Sequence, residues 1–133
     1  MFGITAYGAY IPRARLSKKA IADANDWFDG SLRALAKGER SSCNWDEDVI
    51  TMAVAAAQDC LSMIERDSLS SLYMASTTFP FQDRQNSVVV NEALNLRSNI
   101  RTMDIAASQR AATSGLINLL EAGSNKSGQQ LLL

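Results

Sequence analysis

A stripe of apolar residues with helical spacing is the feature that most constrains the fold of this chain. Asp46, Glu47 and Asp48 precede it and place negative charge at the positive end of a helix dipole. A strand cannot produce this period, so the segment predicts an amphipathic helix rich in alanine that can pack closely on its neighbours. The apolar positions recur at intervals of three and four residues over four turns: Val49, Met52, Ala53, Ala56, Ala57, Cys60, Leu61 and Ile64.

Short apolar segments of strand character alternate with helical segments along the rest of the chain. The predicted strands are Phe2–Tyr7, Ser71–Ser76, Ile100–Ala106 and Gln129–Leu133. The further predicted helices run from the N-cap Ser17 through Ala24, and over 31–37, 87–94 and 111–121. The run Leu72–Ala75 is apolar on both faces, which is typical of a buried parallel strand. The alternation predicts an α/β fold with a mainly parallel sheet.

The segments between these elements have the composition of loops. They are Asn25–Gly30, which contains Trp27 and Phe28, then Thr77–Asn86 and Gly123–Gly128. Gly38 is expected to end the short second helix. The β-branched run Val88–Val90 is also compatible with a strand, so this segment has two interpretations.

Length and charge exclude several classes of protein. The 133 residues carry a formal net charge of −1, and no cluster of Lys and Arg lies on one predicted face, which argues against a nucleic-acid partner. No apolar run reaches the roughly 18 residues of a membrane span, and no basic residue precedes the N-terminal apolar stretch as in a signal peptide. We therefore expect one cytoplasmic domain. Because the apolar run at Leu133 has no polar tail, we expect an interrupted chain.

Histidine is absent, and there are only two cysteines. An imidazole base, a His–Cys pair or a His metal ligand therefore cannot be completed within the chain. Cys43 and Cys60 make neither a zinc site nor a disulfide scaffold, and we expect both to be reduced thiols. The consecutive carboxylates Asp46–Asp48 point in different directions, so we expect them to stabilise a helix terminus. We expect no metal site.

Six segments, in order along nearly the whole chain, carry a family resemblance: Gly3–Arg13, Gly38–Arg40, Asn44–Ala53, Tyr73–Thr78, Arg84–Asn86 and Asp104–Leu116. Together they resemble hydroxymethylglutaryl-CoA synthase-like proteins of the thiolase superfamily, which also includes β-ketoacyl-acyl-carrier-protein synthase III. The resemblance implies a thiolase-like fold of two similar α/β halves with buried helices in the middle layer. Residues 1–133 are then a single partial domain, most of the N-terminal half.

The resemblance also implies partners and substrates. Thiolase-type proteins are usually dimers that act on thioesters of coenzyme A or an acyl carrier protein, so we expect a homo-oligomer or a complementary thiolase half. No covalently bound cofactor is expected. The loop Thr77–Asn86 is expected near a dimer interface or a pocket mouth. An isolated half exposes apolar surface that the other half would bury. Each Å² left exposed forgoes about 25 cal/mol of stabilisation, so we expect self-association.

Two positions of the family's active site hold unexpected residues. The family nucleophile is a Cys at the N-terminus of a buried helix, five residues after the Asp that matches Asp104, and that position is Gln109. The synthase branch also uses a Glu as acid and base just after a strand, and the matching position is Thr77. The resemblance therefore supports the family and weighs against condensation by this chain alone.

Three residues keep both a functional and a structural interpretation. Some ketosynthase-like domains that decarboxylate malonyl groups also carry Gln at the cysteine position, so Gln109 resembles theirs. Alternatively, Gln109 is a polar residue at a helix terminus. Trp27 matches a Trp that stacks on the CoA adenine, or it packs in a surface loop. Arg40 is suited to a CoA phosphate, or it pairs locally with Glu39.

Three functions follow as hypotheses. The chain is part of an acyl-CoA or acyl-carrier-protein acyltransferase without its nucleophilic Cys, and inactive by itself. Alternatively it is a non-catalytic binding or assembly protein of a thiolase-type complex. The third hypothesis is a malonyl decarboxylase that uses Gln109 when the protein is complete.

Overall fold

The computed structural model describes residues 3–122 and 128–133, which form two compact units. The larger unit combines the N-terminal residues up to Tyr10 with the chain from Asp48 onward, and the smaller unit is Ile11–Glu47. The strands are β1 Ala14–Ser17, β2 Glu39–Ser42, β3 Leu69–Ala75, β4 Arg101–Ile105 and β5 Gln129–Leu132. The helices are α1 Lys18–Asn25, α2 Val49–Leu61, α3 Asn86–Ala93 and α4 Ala111–Ala122, with 3₁₀ helices at Gly30–Leu35 and Arg66–Ser68.

A parallel sheet of three strands in the order β4-β3-β5 organises the larger unit. Tyr73 at the centre of β3 lies opposite Met103 of β4 and Leu132 of β5. Leu72 and Met74 of β3 are completely buried, and they share one core cluster with residues of α2 and α3 that cover the sheet. The predicted parallel α/β architecture is confirmed.

The apolar stripe of α2 covers this sheet, and its start is fixed by a capping box. The Asp48 side chain accepts a hydrogen bond from the Thr51 N–H at 2.8 Å, and the Thr51 hydroxyl accepts one from the Asp48 N–H at 2.9 Å. This pair satisfies donors that a helix N-terminus leaves without partners. Ala57 and Cys60 then lie buried in the main core cluster.

The segment with two interpretations, 87–94, is a helix. Its start is held by the Asp104 carboxylate, which accepts hydrogen bonds from the backbone N–H groups of Asn86 and Ser87. Val90 is completely buried against the sheet. Tertiary contacts therefore outweigh the strand preference of the β-branched run.

The smaller unit contains an antiparallel pair of strands that the sequence interpretation missed. β1 pairs with β2 so that Leu16 lies opposite Arg40, and the sequence predicts no strand in either segment. All of β1 is exposed, so no alternation of buried and exposed residues marks it. Ser17 is the N-cap of α1 as predicted, although its side chain makes no capping hydrogen bond. The segment predicted as a helix over 31–37 is the 3₁₀ helix, and Gly38 follows it with φ of +78°.

The prediction of a strand at Phe2–Tyr7 is wrong for its described part. Residues 3–12 belong to no strand or helix. Gly8 lies directly on α2, because a Cβ there would come within 2.5 Å of the Ala56 carbonyl oxygen. The segment is therefore placed against a helix and has no neighbouring strand to pair with. Phe2 and most of the predicted loop Gly123–Gly128 lie outside the described residues.

Candidate functional site

Two loops meet at the carboxyl ends of the adjacent strands β3 and β4. In an open parallel sheet this edge is where ligands bind, because the following loops converge there. Here the two loops enclose a shallow cavity of about 290 Å³. Its lining residues come from the end of β3 and the start of α4: Ala75, Ser76, Thr77, Ser108, Gln109, Ala111 and Ala112. Thr77 and Gln109, two sequence-predicted site residues, thus share one cavity.

Two hydrogen bonds of Ser76 hold the wall formed by the end of β3. The Ser76 N–H donates to the Ile105 carbonyl oxygen at 3.1 Å, which ties the end of β3 to the end of β4. The Ser76 hydroxyl oxygen accepts a hydrogen bond from the Thr78 N–H, also at 3.1 Å. Thr77, between these two residues, is exposed and lines the cavity. A threonine hydroxyl can donate or accept a hydrogen bond, but it is not an acid or base near neutral pH.

The opposite wall is the tight turn into α4. Ala107 has a φ of 67°, a left-handed conformation that is uncommon for residues with a Cβ. The Ser108 hydroxyl then accepts a hydrogen bond from the Arg110 N–H at 3.1 Å, and its carbonyl accepts one from the Ala111 N–H at 3.0 Å. Gln109 is consequently exposed at the N-terminus of α4, where the helix dipole favours negative charge. Its amide can bind an oxygen atom, but it cannot form a thioester.

A partly buried hydrogen-bond network supports the loop that leads away from this cavity. The Asn86 side chain is 2% exposed, and it donates to the Asp104 carboxylate at 2.9 Å and to the Phe81 carbonyl at 2.9 Å. The Phe81 N–H donates in turn to the Asn86 side-chain oxygen at 3.1 Å. Asn86 therefore holds the loop between β3 and α3 to β4.

Opposing effects set the pKa of Asp104. Burial alone would raise it, but hydrogen bonds from Ser87 and Asn86 stabilise the carboxylate and hold the pKa below its ordinary value. Asp104 is therefore ionised at neutral pH. Its oxygens accept from the α3 N-terminus, so its role is to position α3 and the preceding loop.

Neither cysteine lies at this cavity. Cys60 is buried in α2, where burial first and the negative charge of Asp59 second raise the pKa of its thiol. A thiol held protonated in this way is a weak nucleophile. Cys43 lies in the smaller unit and is exposed.

The two predicted CoA-binding residues belong to the smaller unit. Trp27 is 84% exposed, and its ring contacts Phe28 edge-on with centroids 5.9 Å apart. Arg40 is exposed on β2. The exposed Trp27 ring offers a flat surface for stacking, and Phe28 lies at its edge, so both interpretations of Trp27 stay predictions.

Sequence reasoning missed the supporting residues Asn86, Ala107 and Ser108. A signal existed for Asn86, since Asn directly before a predicted helix often makes local hydrogen bonds to the backbone. Among the residues that the structure describes, no group of His, Cys, Asp and Glu could hold a metal ion. Within the same residues, no helix is long and apolar enough to cross a membrane.

Sequence comparison finds curated relatives that are named hydroxymethylglutaryl-CoA synthase. The chain is 31% identical over 121 residues to hydroxymethylglutaryl-CoA synthase of Methanobrevibacter smithii, covering 87% of this chain and 34% of the relative. It is 31% identical over 134 residues to the same enzyme of Methanocaldococcus jannaschii, covering 96% of this chain and 39% of the relative. The chain thus spans a little over a third of the length of these relatives. No family model matches the chain.

Solved structures share the fold. MvaS in complex with 3-hydroxy-3-methylglutaryl coenzyme A superposes with a TM-score of 0.79 at 20% identity, covering 95% of this chain and 32% of that one. The curacin-pathway HMG synthase in complex with acetyl donor-ACP gives a TM-score of 0.78 at 22% identity, with 93% and 32% covered. The β-ketoacyl-[acyl-carrier-protein] synthase III of Thermus thermophilus gives 0.71 at 22% identity, with 92% and 40% covered.

The fold resemblance and the sequence relatives agree with the order of the motifs along the chain. The parallel sheet, the loops at its carboxyl edge and the helix that follows β4 occur in the arrangement that those motifs predicted. The chain belongs to the thiolase superfamily, as a hydroxymethylglutaryl-CoA synthase-like protein.

Proposed function

We propose that the chain is the N-terminal part of a hydroxymethylglutaryl-CoA synthase-like acyltransferase that binds thioesters of coenzyme A or an acyl carrier protein. The observation that carries this proposal is the cavity at the carboxyl edge of the sheet, in which Thr77 and Gln109 face a common space. The two structural relatives named above are complexes with 3-hydroxy-3-methylglutaryl coenzyme A and with an acetyl donor-ACP. These complexes support the same class of ligand for this chain.

We infer that this chain forms no acyl-enzyme by itself. Gln109 stands at the helix terminus where a nucleophilic thiol would be activated, and an amide does not accept an acyl group. Thr77 supplies no carboxylate for proton transfer. Binding and orientation of a thioester therefore fall to these 133 residues, and a homo-oligomer or a complementary thiolase half completes the active site.

Intact-mass spectrometry after incubation with acetyl-CoA tests this proposal directly. We expect no acetylated chain, whereas calorimetry detects binding of acetyl-CoA that weakens in Trp27→Ala and Arg40→Ala. Acetylation of the unmodified chain that disappears in Gln109→Ala would refute the inference. Absence of any acyl-CoA or acyl-ACP binding would refute the substrate class.

Replacing Gln109 by cysteine tests whether the cavity is built for a nucleophile. The N-terminus of α4 stabilises a thiolate, so Gln109→Cys is expected to react with iodoacetamide at a lower pH than an ordinary thiol does. Thr77→Cys is the matched control, because it lines the same cavity but lies at no helix terminus. Equal pH profiles for the two variants would contradict this assignment.

A second candidate function rests on the same two residues. The neutral side chains of Thr77 and Gln109 suit a protein that binds a thioester without reacting, as an assembly component of a thiolase-type complex. The decarboxylase hypothesis differs in one outcome. It requires the complete protein to release CO₂ from malonyl-CoA and to lose that activity in Gln109→Ala.

A further inference from the structure

The loop between β3 and α3, residues 76–85, contributes one wall of the cavity at the carboxyl edge, and both of its ends are tied to β4. At its start, the Ser76 N–H donates to the Ile105 carbonyl at 3.1 Å. Directly after its end, the Asn86 N–H donates to the Asp104 carboxylate at 2.7 Å. Because Asp104 and Ile105 are consecutive residues, the two ends of the loop lie side by side. The loop is therefore closed at its base, as Ω-loops are.

A single side chain also ties the interior of this loop to its base. The Asn86 amide nitrogen donates to the Phe81 carbonyl at 2.9 Å, and the Asn86 side-chain oxygen accepts from the Phe81 N–H at 3.1 Å. These two bonds between Asn86 and Phe81 form a clamp, the Asn86 clamp. The same amide nitrogen donates to the Asp104 carboxylate at 2.9 Å, so the hydrogen-bonding capacity of this buried side chain is in use.

The short segment between the base of the loop and the clamp carries Thr77, which lines the cavity. On one side of it, the Ser76 hydroxyl accepts a hydrogen bond from the Thr78 N–H at 3.1 Å. On the other side, Phe79 is packed against the core cluster and Phe81 is held by the clamp. The position of Thr77 therefore depends on bonds that Thr77 itself does not make.

The opposite wall of the cavity takes its position from the same part of β4. Gln109 lines that wall and follows Ile105 by four residues along the chain. The Thr77 wall is connected to Asp104 and Ile105 by hydrogen bonds, and the Gln109 wall is connected to them by the chain itself. With the clamp closed, the two walls face each other before a ligand arrives. A site formed in advance binds more tightly, because no ordering of the loop opposes binding.

We propose that Asn86 is a positioning residue of this site, whose clamp holds Thr77 opposite Gln109 and so forms the cavity for the acyl end of a thioester in advance. The nature of the ligand rests on the proposed function, whereas the positioning of the loop does not. Asn86 is not among the residues that line the cavity, so it acts through the loop. Without the clamp the loop opens, and the ligand binds only the closed fraction of the molecules. The apparent dissociation constant then rises by the inverse of that fraction.

Calorimetry with acetyl-CoA on the 133-residue chain tests the effect on binding. We expect Asn86→Ala to raise the dissociation constant about tenfold, because one neutral hydrogen bond corresponds to a factor of up to about ten. Asn91→Ala is the matched control and should leave the constant unchanged. Asn91 is buried on the same helix, and its side-chain oxygen lacks a hydrogen-bond partner among the described residues.

Hydrogen exchange without ligand separates positioning from a general loss of stability. The Thr78 amide bonds to Ser76 and lies outside the clamp, whereas Ala57 is buried in α2. We expect Asn86→Ala to speed exchange of the Thr78 amide about tenfold and to leave exchange of the Ala57 amide close to the wild-type rate. A side chain that only stabilises the fold would speed exchange of both amides.

A change at Phe81 provides a second test should Asn86→Ala not fold. Phe81→Pro removes the N–H that donates to the Asn86 side chain and leaves the bonds between Asn86 and Asp104 in place. It should weaken acetyl-CoA binding and speed Thr78 exchange as Asn86→Ala does. Phe81→Leu keeps the N–H and is its control, with affinity and exchange as in the wild type.

Three results would overturn the proposal. The first is unchanged affinity in both Asn86→Ala and Phe81→Pro. The second is Thr78 exchange that neither variant speeds, or that rises only together with Ala57 exchange. The third is an equal loss of affinity in Asn91→Ala. If the wild-type chain binds no acetyl-CoA, the proposed ligand is wrong, and the Thr78 exchange rates alone decide whether Asn86 positions the loop.

Discussion

Replacing Asp104 by asparagine removes a charge on which three hydrogen bonds at the start of α3 converge. The donors are the Asn86 N–H at 2.7 Å, the Asn86 side-chain amide at 2.9 Å and the Ser87 N–H at 2.8 Å. Asn86 and Ser87 are buried, so water cannot replace the lost acceptor without a rearrangement. The substitution keeps the shape of the side chain and changes its charge and one of its acceptors.

The cost follows from these three bonds. A hydrogen bond to a charged group contributes about 1.5–3 kcal/mol and a neutral one about 0.5–1.5 kcal/mol. Asparagine keeps one acceptor oxygen and turns an NH₂ group toward a donor, so one bond is lost and the others weaken. Because Asp104 is half-buried and solvent screens part of the charge, we expect the free energy of unfolding to fall by about 2 kcal/mol. Urea denaturation followed by circular dichroism should show a midpoint lowered by about 1 M.

The pH dependence gives a sharper test. The pKa of Asp104 is lower in the folded protein than the unfolded value of about 3.9. Its contribution is therefore fully present above the unfolded pKa and is lost as the pH falls through the folded pKa. The difference in unfolding free energy between wild type and Asp104→Asn should be constant from about pH 6 to 8, and should shrink below about pH 4.

Asp83→Asn is the matched control, since Asp83 is exposed and its partner Arg84 is a surface neighbour. It should leave the urea midpoint unchanged. The reasoning is refuted by an unaltered midpoint for Asp104→Asn at neutral pH. The reasoning is also refuted if the difference in unfolding free energy between wild type and Asp104→Asn keeps its full size below about pH 4. The stabilisation would then not depend on the charge of the Asp104 carboxylate.

Three further predictions concern the core and one exposed face. Leu72→Ala should lower the free energy of unfolding by about 2–5 kcal/mol in urea, because Leu72 is completely buried, and a smaller loss would contradict the assigned core. Gly115→Leu should cost about 1–3 kcal/mol by the same assay, since a Cβ at Gly115 already comes within 2.8 Å of the Ile105 side chain. Gly115→Ala is its milder control. The side of α4 exposing Leu116, Ile117 and Leu120 should mediate self-association, and sedimentation velocity should show that Ile117→Glu abolishes it; a wild-type chain that is monomeric at all concentrations would contradict this.

The parallel core could be predicted from the sequence because each element carries its own periodicity. The stripe that begins at Val49 has a helical period, and β3 carries an apolar run on both faces because helices pack on the sheet. Each signal lies within one segment and is set by the burial of that segment. These elements were predicted with ends at most three residues from the observed ones.

The conformation of the N-terminal segment and the β1–β2 pairing could not be predicted from the sequence. The physical reason is the same for both. A strand needs a partner for its backbone, and the partner is chosen by contacts between distant parts of the chain. Residues 3–8 have strand character but lie against α2, whereas the exposed, polar residues of β1 and β2 pair with each other. The residue types of a segment indicate whether its side chains are buried. They do not indicate which strand its backbone pairs with.

The candidate site was predictable as a pair of positions but not as a shaped cavity. Thr77 follows one parallel strand, and Gln109 lies between the next strand and its helix, so topology alone brings them to one edge. The turn that exposes Gln109 depends on the left-handed backbone of Ala107, and alanine has no preference for that conformation. The opposite loop depends on Asn86, whose partners Phe81 and Asp104 are 5 and 18 residues away along the chain. The surrounding structure therefore imposes the cavity on residues that would not form it locally, which is the condition under which strain persists at a functional site.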